Sequence, residues 1–305
     1  MTIKHIVISG GGAIGFQYLG ALHYLHTQEF WKIEDIQNIY ATSVGTILAV
    51  LLCLRYDWSV INDYFIGRPW HDLFKLTGKQ IVEAYYNKGL YDKKIFESCF
   101  KPLLEAKDLS LHITLKEFYE YSHIYLHFYT FELNSFKTIE INHEVNPNLF
   151  LIEAIHMSCA IPGLFMPLFL EEEKYCYIDG GVMMNYPLLF CLQEHSMKEE
   201  ILAFNYSVEK NNNQISIDNN ITKESSILDF ILGFSTKAMN FISQSILSNE
   251  KIPFEIMWNV ESSPVSLHYI KNTIQSKECR EKALQEGYKR GEVFLQGLKQ
   301  DSGSL

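Results

Sequence analysis

The chain has 305 residues, of which 47% are hydrophobic and 20% charged. That is enough for one large α/β domain or two small ones with a sizeable core, and it excludes a disordered chain, a collagen-like repeat and a disulfide scaffold. Its 36 acidic and 26 basic residues give a formal net charge of -10, so no global electrostatic drive toward nucleic acid or an anionic bilayer exists, and any membrane contact must rest on apolar insertion. The six cysteines, Cys53, Cys99, Cys159, Cys176, Cys191 and Cys279, form no C-x-x-C pair and no zinc-spaced cluster; they read as buried thiols of a reducing compartment.

In chain order, Ile3 to Ser9 reads as a central strand and Phe16 to Thr27 carries apolar residues at helical spacing. Ile36 to Thr42 is a second strand, followed directly by a helix from Val44 to Leu54. The apolar run Ile47 to Leu54 stops at Arg55, well short of the roughly 20 residues a membrane span needs, and is expected to be a buried helix. The glycines after Ser9 leave no signal-peptide core, so the expectation is a soluble, intracellular protein, cytoplasmic or membrane-peripheral. Further helices are expected around Ile61 and over Asp92 to Leu104, and Thr114 with Glu117 forms a capping box before another. His123 to Leu133 and Lys137 to Asn142 alternate like paired strands about a turn at Asn134 and Ser135. Leu149 to Ser158 reads as helix, and Tyr175 to Ile178 and Ile201 to Ser207 as strands. The alternation argues for a parallel sheet with crossover helices. Glu209 to Asn220 is polar and asparagine-rich, an expected exposed loop. Beyond it lie the apolar-periodic segment Ser225 to Leu247, a strand at Glu255 to Val260 and a last helix from about Ser276 to Lys299.

Three motifs fall at loop positions. Between the first strand and helix stands Ser9-Gly10-Gly11-Gly12-Ala13-Ile14-Gly15. Its glycines let backbone N–H groups converge on an anion at a helix N-terminus, whether a pyrophosphate or a tetrahedral oxyanion. Gly10, Gly12 and Gly15 satisfy G-x-G-x-x-G, yet Glu34 and Asp35 precede the second strand, whereas a dinucleotide fold needs its ribose-binding acid at the far end. That far end carries Ala41-Thr42-Ser43-Val44-Gly45, the small-residue pattern of a strand-to-helix nucleophile elbow. In isolation it would serve as an ordinary helix N-cap; beside a triple-glycine loop it supplies the two things acyl transfer requires, a nucleophile and an oxyanion site. The histidines after Ser43, including His123 and His127 on one face of a strand-like run, have no distinctive setting and read as structural. The third motif is Tyr177-Ile178-Asp179-Gly180-Gly181, either a simple Asp-Gly turn or a carboxylate base made effective by burial.

Together these residues resemble the patatin-like phospholipase family. The resemblance runs from Lys4 to about Ser207 and includes the glycine loop, the serine elbow, Ala154, the run Ser158 to Phe165, Asp179-Gly180-Gly181, Asn185 and Pro187. It implies a three-layer α/β/α fold with a central, mostly parallel sheet over residues 4–207 and a C-terminal helical extension, 208–305, packed on that core. It implies Ser43 as nucleophile, Asp179 as general base, and the amides of Gly11, Gly12 and Ala13 as oxyanion hole, with Gly10, Gly15, Ala41, Gly45, Gly180 and Gly181 shaping the three motifs. The substrate would be a phospholipid or other long-chain lipid ester met by peripheral membrane contact, with no nucleic acid, no cofactor and no metal; the chain has neither an EF-hand loop nor H-E-x-x-H. Two departures stand out: Ile14 where the family commonly carries Lys or Arg, and Ala41 where the elbow has glycine. They motivate the alternative of a lipid-binding relative without turnover. Asn185 and Pro187 are expected to brace the loop after Asp179. The wide apolar face of Ser225 to Leu247 suits either core packing or a lid in which Phe230 and Phe234 admit the acyl chain.

Overall fold

The computed structural model describes residues 2–75, 77–170, 174–208, 221–246, 250–260 and 267–302. The asparagine-rich segment 209–220 and Leu247 therefore lie outside the described residues. The first half alternates as expected: β1 (His5–Ile8), α1 (Gly15–Thr27), β2 (Asn38–Thr42), α2 (Val44–Cys53), α3 (Trp58–Gly67), α4 (Gly78–Asn87), β3 (Gly89–Tyr91), α5 (Lys94–Glu105) and α6 (Leu115–Ser122). The middle supplies β4 (Tyr125–Glu132), β5 (Lys137–Ile141), α7 (Leu151–Cys159), β6 (Gly163–Phe165), β7 (Leu168–Leu170), β8 (Tyr175–Asp179), α8 (Leu188–Glu194) and β9 (Ile201–Val208). The rest is α9 (Ile227–Ile246), β10 (Phe254–Val260), α10 (Leu267–Gln275) and α11 (Lys277–Ser302). The Thr114 capping box forms in full, with Thr114 Oγ1 accepting from the Glu117 N–H and Glu117 accepting from the Thr114 N–H.

The main sheet runs β10-β9-β1-β2-β4-β8-β7, with β5 also paired to β4. The first five strands of that order are mutually parallel, while β5 and β8 are antiparallel to β4 and β7 to β8. The register of β4 fixes a further point. Phe128 and Tyr129 pair with both β2 and β5, and Thr130 pairs with both β5 and β8. A strand has two edges, so β5 occupies one and β2 and β8 share the other. Two strands of opposite direction thus meet end to end, Thr42 opposite Tyr129 and Asp179 opposite Thr130.

Alternate strand residues face opposite layers. Ile6, Ile8, Ile39, Phe128 and Phe204 join α1, α2, α5 and α7 in the larger apolar cluster, while Val7, Tyr40, Tyr129 and Ala203 pack with Leu188 and Cys191 of α8 on the other face. The buried α2 contains the run Ile47 to Leu54 almost entirely. Among the described residues no helix is long and apolar enough to cross a membrane. All six cysteines are free thiols; five are buried as expected, but Cys279 is exposed, because it sits on the solvent side of the amphipathic α11.

Residues beyond 208 are joined to this body by backbone pairing of β10 with β9, by close packing of α11 along α1 with Leu284 buried in the larger apolar cluster, by side-chain bonds such as Tyr186 to Glu255, and by a buried arginine. Arg280, buried on α11, donates through Nε and Nη2 to the Ile66 carbonyl, through Nη2 to Arg68, and through Nη1 to Thr273 and Ile274. These are the last carbonyls of α3 and α10, which have no partner inside their own helices and carry the negative end of each helix dipole. Replacing Arg280 with methionine keeps the aliphatic stem and orphans four carbonyls; it is expected to cost about 3 kcal/mol and to lower Tm by roughly 6–12 °C in calorimetry. A change within 1 °C would contradict the clamp.

Candidate active site

At the end of β2 the chain enters α2 through Ser43, whose φ of 54° and ψ of -126° lie where L-residues rarely sit. Such a conformation costs on the order of 1–3 kcal/mol and persists only when its neighbours enforce it. Here the Ser43 N–H donates to Ser158 Oγ at 2.9 Å, and the Ser43 carbonyl accepts from the Thr46 N–H at 2.8 Å and from Thr46 Oγ1 at 2.7 Å. Gly45 lies so close to β1 that a Cβ there would stand 2.5 Å from the Ile8 carbonyl oxygen. The result is a hydroxyl raised above the carboxyl end of the sheet.

Asp179 ends β8 and is fully buried. Its Oδ2 accepts from Ser43 Oγ at 2.6 Å and its Oδ1 from the Gly181 N–H at 2.7 Å. Gly180 turns the chain directly over β4, where a Cβ would fall 2.2 Å from the Tyr129 carbonyl oxygen. Burial pushes the Asp179 carboxyl up to about 7, against the lowering effect of the bonds from Ser43 and Gly181. Ser158 ties the two halves together by donating to the same Tyr129 carbonyl at 2.6 Å.

The glycine loop faces this pair. Gly11 and Gly12 have φ of 148° and 57°, and a short 3-10 turn, Gly12–Ile14, leads into α1. A Cβ at Gly10 would be 3.0 Å from Ser43 Cβ and 2.5 Å from Asn185 Oδ1. The Gly10 N–H donates to the Asn185 carbonyl at 2.9 Å, so Asn185, expected to brace the loop after Asp179, ties the glycine loop to it. Ile14 and Ala41, the two departures, are fully buried in the apolar core. Gly15, next to Ile14, packs against Val44.

Two cavities meet at Ser43. The larger, about 190 Å³, is walled almost wholly by apolar groups: Phe16, Leu19 and Gly12-Ala13 on one side, Trp70, Phe96 and Phe165 on another, and Ile270 and Ile274 of α10. The smaller, about 10 Å³, is bounded by Gly11, Asp179, Gly181, Asn185, Tyr206, Thr236 and Met239. Among the described residues, no histidine lines either. Within α9 it is Thr236 and Met239 that face the site, whereas Phe230 and Phe234 are 52% and 68% exposed and line neither cavity. No local sequence pattern marks the bonding role of Ser158, the placement of Met239 at the site or the helix α10; for Ser158 the available signal is a serine inside an apolar helix, since a buried hydroxyl needs partners.

The model of the Patatin-like phospholipase family matches residues 6–192. The chain is 28% identical over 202 residues to the probable lipid hydrolase 463L of Invertebrate iridescent virus 6, covering 65% of this chain and 66% of that protein. It is 27% identical over 197 residues to the uncharacterized protein YqhO of Bacillus subtilis, covering 60% and 64%. The matches thus span somewhat under two thirds of these relatives' lengths. In structure it is similar to VipD of Legionella pneumophila, with a TM-score of 0.56 at 17% identity over 97% of this chain and 67% of that one.

The raised Asp179 carboxyl has a consequence for stability. Its pKa is 3.8 in the reference state and about 7 when folded, so between those values the folded chain holds a proton the unfolded chain has lost. Its contribution is complete below pH 4 and is lost as pH rises toward 7. Asp179→Asn, which removes the titration, should therefore gain on wild type by roughly 2–4 kcal/mol between pH 4 and pH 8 in urea unfolding. An equal difference at both pH values would contradict this.

Proposed function

The chain belongs to the patatin-like phospholipase family, and from that membership we propose that it is a lipid acyl hydrolase using a Ser43–Asp179 dyad and an acyl-enzyme. The observation that carries the reading is the 2.6 Å hydrogen bond from Ser43 Oγ to the buried Asp179 carboxylate, at the junction of the two cavities. In the first half-reaction Ser43 Oγ attacks the ester carbonyl carbon while Asp179 takes its proton. The oxyanion is met by the amides of Gly11, Gly12 and Ala13 and by the positive end of α1. Asp179 returns the proton to the leaving alcohol as the ester C–O bond breaks. In the second half-reaction water, deprotonated by Asp179, attacks the acyl-enzyme and frees the fatty acid and Ser43. The small cavity beside Asp179 is about the size of one water, which suits that step.

The acyl chain would enter the larger cavity. An apolar cavity of ~150 Å³ takes up benzene; by that measure about 190 Å³ would hold roughly the first eight carbons, the remainder lying outside. Residues 4–207 would carry the dyad and oxyanion loop, and the extension 208–305 would add a wall through α10 and a cover through α9. Phospholipids and other long-chain esters fit this division, and no step calls on a metal or cofactor, so hydrolysis in excess EDTA is expected to be undiminished.

Ser43→Ala and Asp179→Asn should each remove at least 10³ of kcat, and the double variant should be little worse than either, because the two groups act as one unit. Wild type, but not Ser43→Ala, should be labelled by a fluorophosphonate; an unlabelled wild type would favour the lipid-binding relative. With Asp179 required as carboxylate, kcat/KM on a soluble ester should rise with pH and level off above about 7. A second expectation concerns α9: replacing exposed Phe230 and Phe234 with serine should reduce hydrolysis of aggregated lipid at least fivefold more than that of a short soluble ester. Equal losses on the two substrates would contradict a lipid-contacting role for this exposed face.

A further inference from the structure

On the sheet face covered by α8 lies a polar cluster that the hydrolytic site does not use. His127 is buried with its ring held between Tyr40 and Tyr125, at centroid distances of 4.0 and 4.2 Å and within 14° of parallel to each. Its Nε2 is 3.1 Å from Asn38 Oδ1, and in the tautomer in which it donates to that oxygen the other ring nitrogen carries no hydrogen. Its Nδ1 then faces Glu140 Oε1 at 2.7 Å. In the neutral ring this sets a lone pair against a carboxylate, an arrangement that calls for a positive charge supplied by a proton or a metal ion. Ligand atoms from His127, Glu140 and Glu194 all lie within 4.8 Å of one another. Among the described residues, no lysine or arginine forms an ion pair with either glutamate.

The surrounding groups are those that orient metal ligands. The imidazole gives its second nitrogen to a carbonyl oxygen, Asn142 Nδ2 donates to Glu140 Oε1 at 2.8 Å, and Tyr40 OH donates to Glu194 Oε2 at 2.6 Å. An independent observation comes from Tyr129, directly opposite Glu140 in the β4–β5 register. Its fully buried hydroxyl makes no well-formed hydrogen bond, although it is turned toward the Glu140 carboxylate and helps to hold that group's pKa down. A fully buried hydroxyl left in this state points to an additional ligand between it and the carboxylates.

We propose that His127, Glu140 and Glu194 bind one divalent cation of the zinc class, with the Tyr129 hydroxyl reaching the ion or a water bound to it. One imidazole and two carboxylates suit Zn²⁺ and its first-row neighbours, whose bonds to such ligands are about 2.0–2.2 Å. Glu194, exposed at the end of α8, has the freedom to close the remaining distance. The site would pin β4, β5 and α8 together and act on stability, separately from the dyad.

The test uses the whole chain in a Cys279→Ser background, which removes the exposed thiol as a competing ligand. Protein stripped with EDTA is dialysed against Zn²⁺ and followed by elemental analysis and thermal melting. One zinc per chain and a raised Tm are expected for this protein and equally for Ser43→Ala. Glu194→Gln, whose side chain is exposed and still accepts from Tyr40, should bind at least tenfold more weakly, and His127→Gln should bind none. Absence of zinc uptake by the parent would overturn the proposal and leave a proton shared between His127 and Glu140. Uptake unchanged in Glu194→Gln would overturn it as well, by placing the metal elsewhere.

Discussion

Along one edge of β4 the hydrogen-bonded partner changes from β2 to β8 between Tyr129 and Thr130. The two partners approach from opposite directions, so their carboxyl ends converge on adjacent residues of a third strand. Ser43 leaves the end of one and Asp179 closes the other, and their 2.6 Å contact follows from strand register rather than from a flexible loop. Ser158 reads the same junction from the helical layer, accepting from the Ser43 N–H and donating to the Tyr129 carbonyl. The glycines at 45 and 180 are the points where backbone must pass within contact of backbone for this convergence to close.

The arrangement is electrostatically costly. Asp179 is fully buried, and the groups bonded to it are a hydroxyl and an amide rather than a formal positive charge. Desolvation outweighs those two bonds and shifts the carboxyl into the range where it exchanges protons near neutrality. A lysine or arginine at the same distance would stabilise the carboxylate and weaken it as a base. The fold therefore gives up stability at the junction and regains it in the large apolar cluster that joins the sheet to α1, α2, α5 and α7.

Much of this was legible in the sequence, and for definite reasons. The strands β1, β2, β4 and β9 are almost wholly buried and appear as short runs rich in β-branched, aliphatic and aromatic residues between turn signals. Glycine spacing marked the loop and the turn after Asp179, where no other residue fits. The three-residue strands β3, β6 and β7 left no periodicity to detect. The exposed tyrosines and aliphatics of α4 gave it no inward stripe that burial would explain. The placement of Phe230 and Phe234 was ambiguous because α9 is apolar around most of its circumference, and only packing distinguishes the side bearing Thr236 and Met239 from the side in solvent. Arg280 carried no signal at all: its role is to satisfy carbonyls of α3 and α10, a three-dimensional need that no local pattern records.

The Arg280 clamp also bears on the order in which the chain acquires its parts during synthesis. Ser43 and Asp179 leave the ribosome long before residues 267–280, and domains generally begin to fold from the N-terminal side. Until α10 and α11 emerge, the large cavity lacks the wall made by Ile270 and Ile274, and the last carbonyls of α3 lack their donor. A nascent chain thus has Ser43 and Asp179, with the strands that bring them together, before it has the helices that wall the apolar cavity beside them. The wall arrives with the final helices, so translation itself separates the making of the strand junction from the enclosing of the cavity next to it.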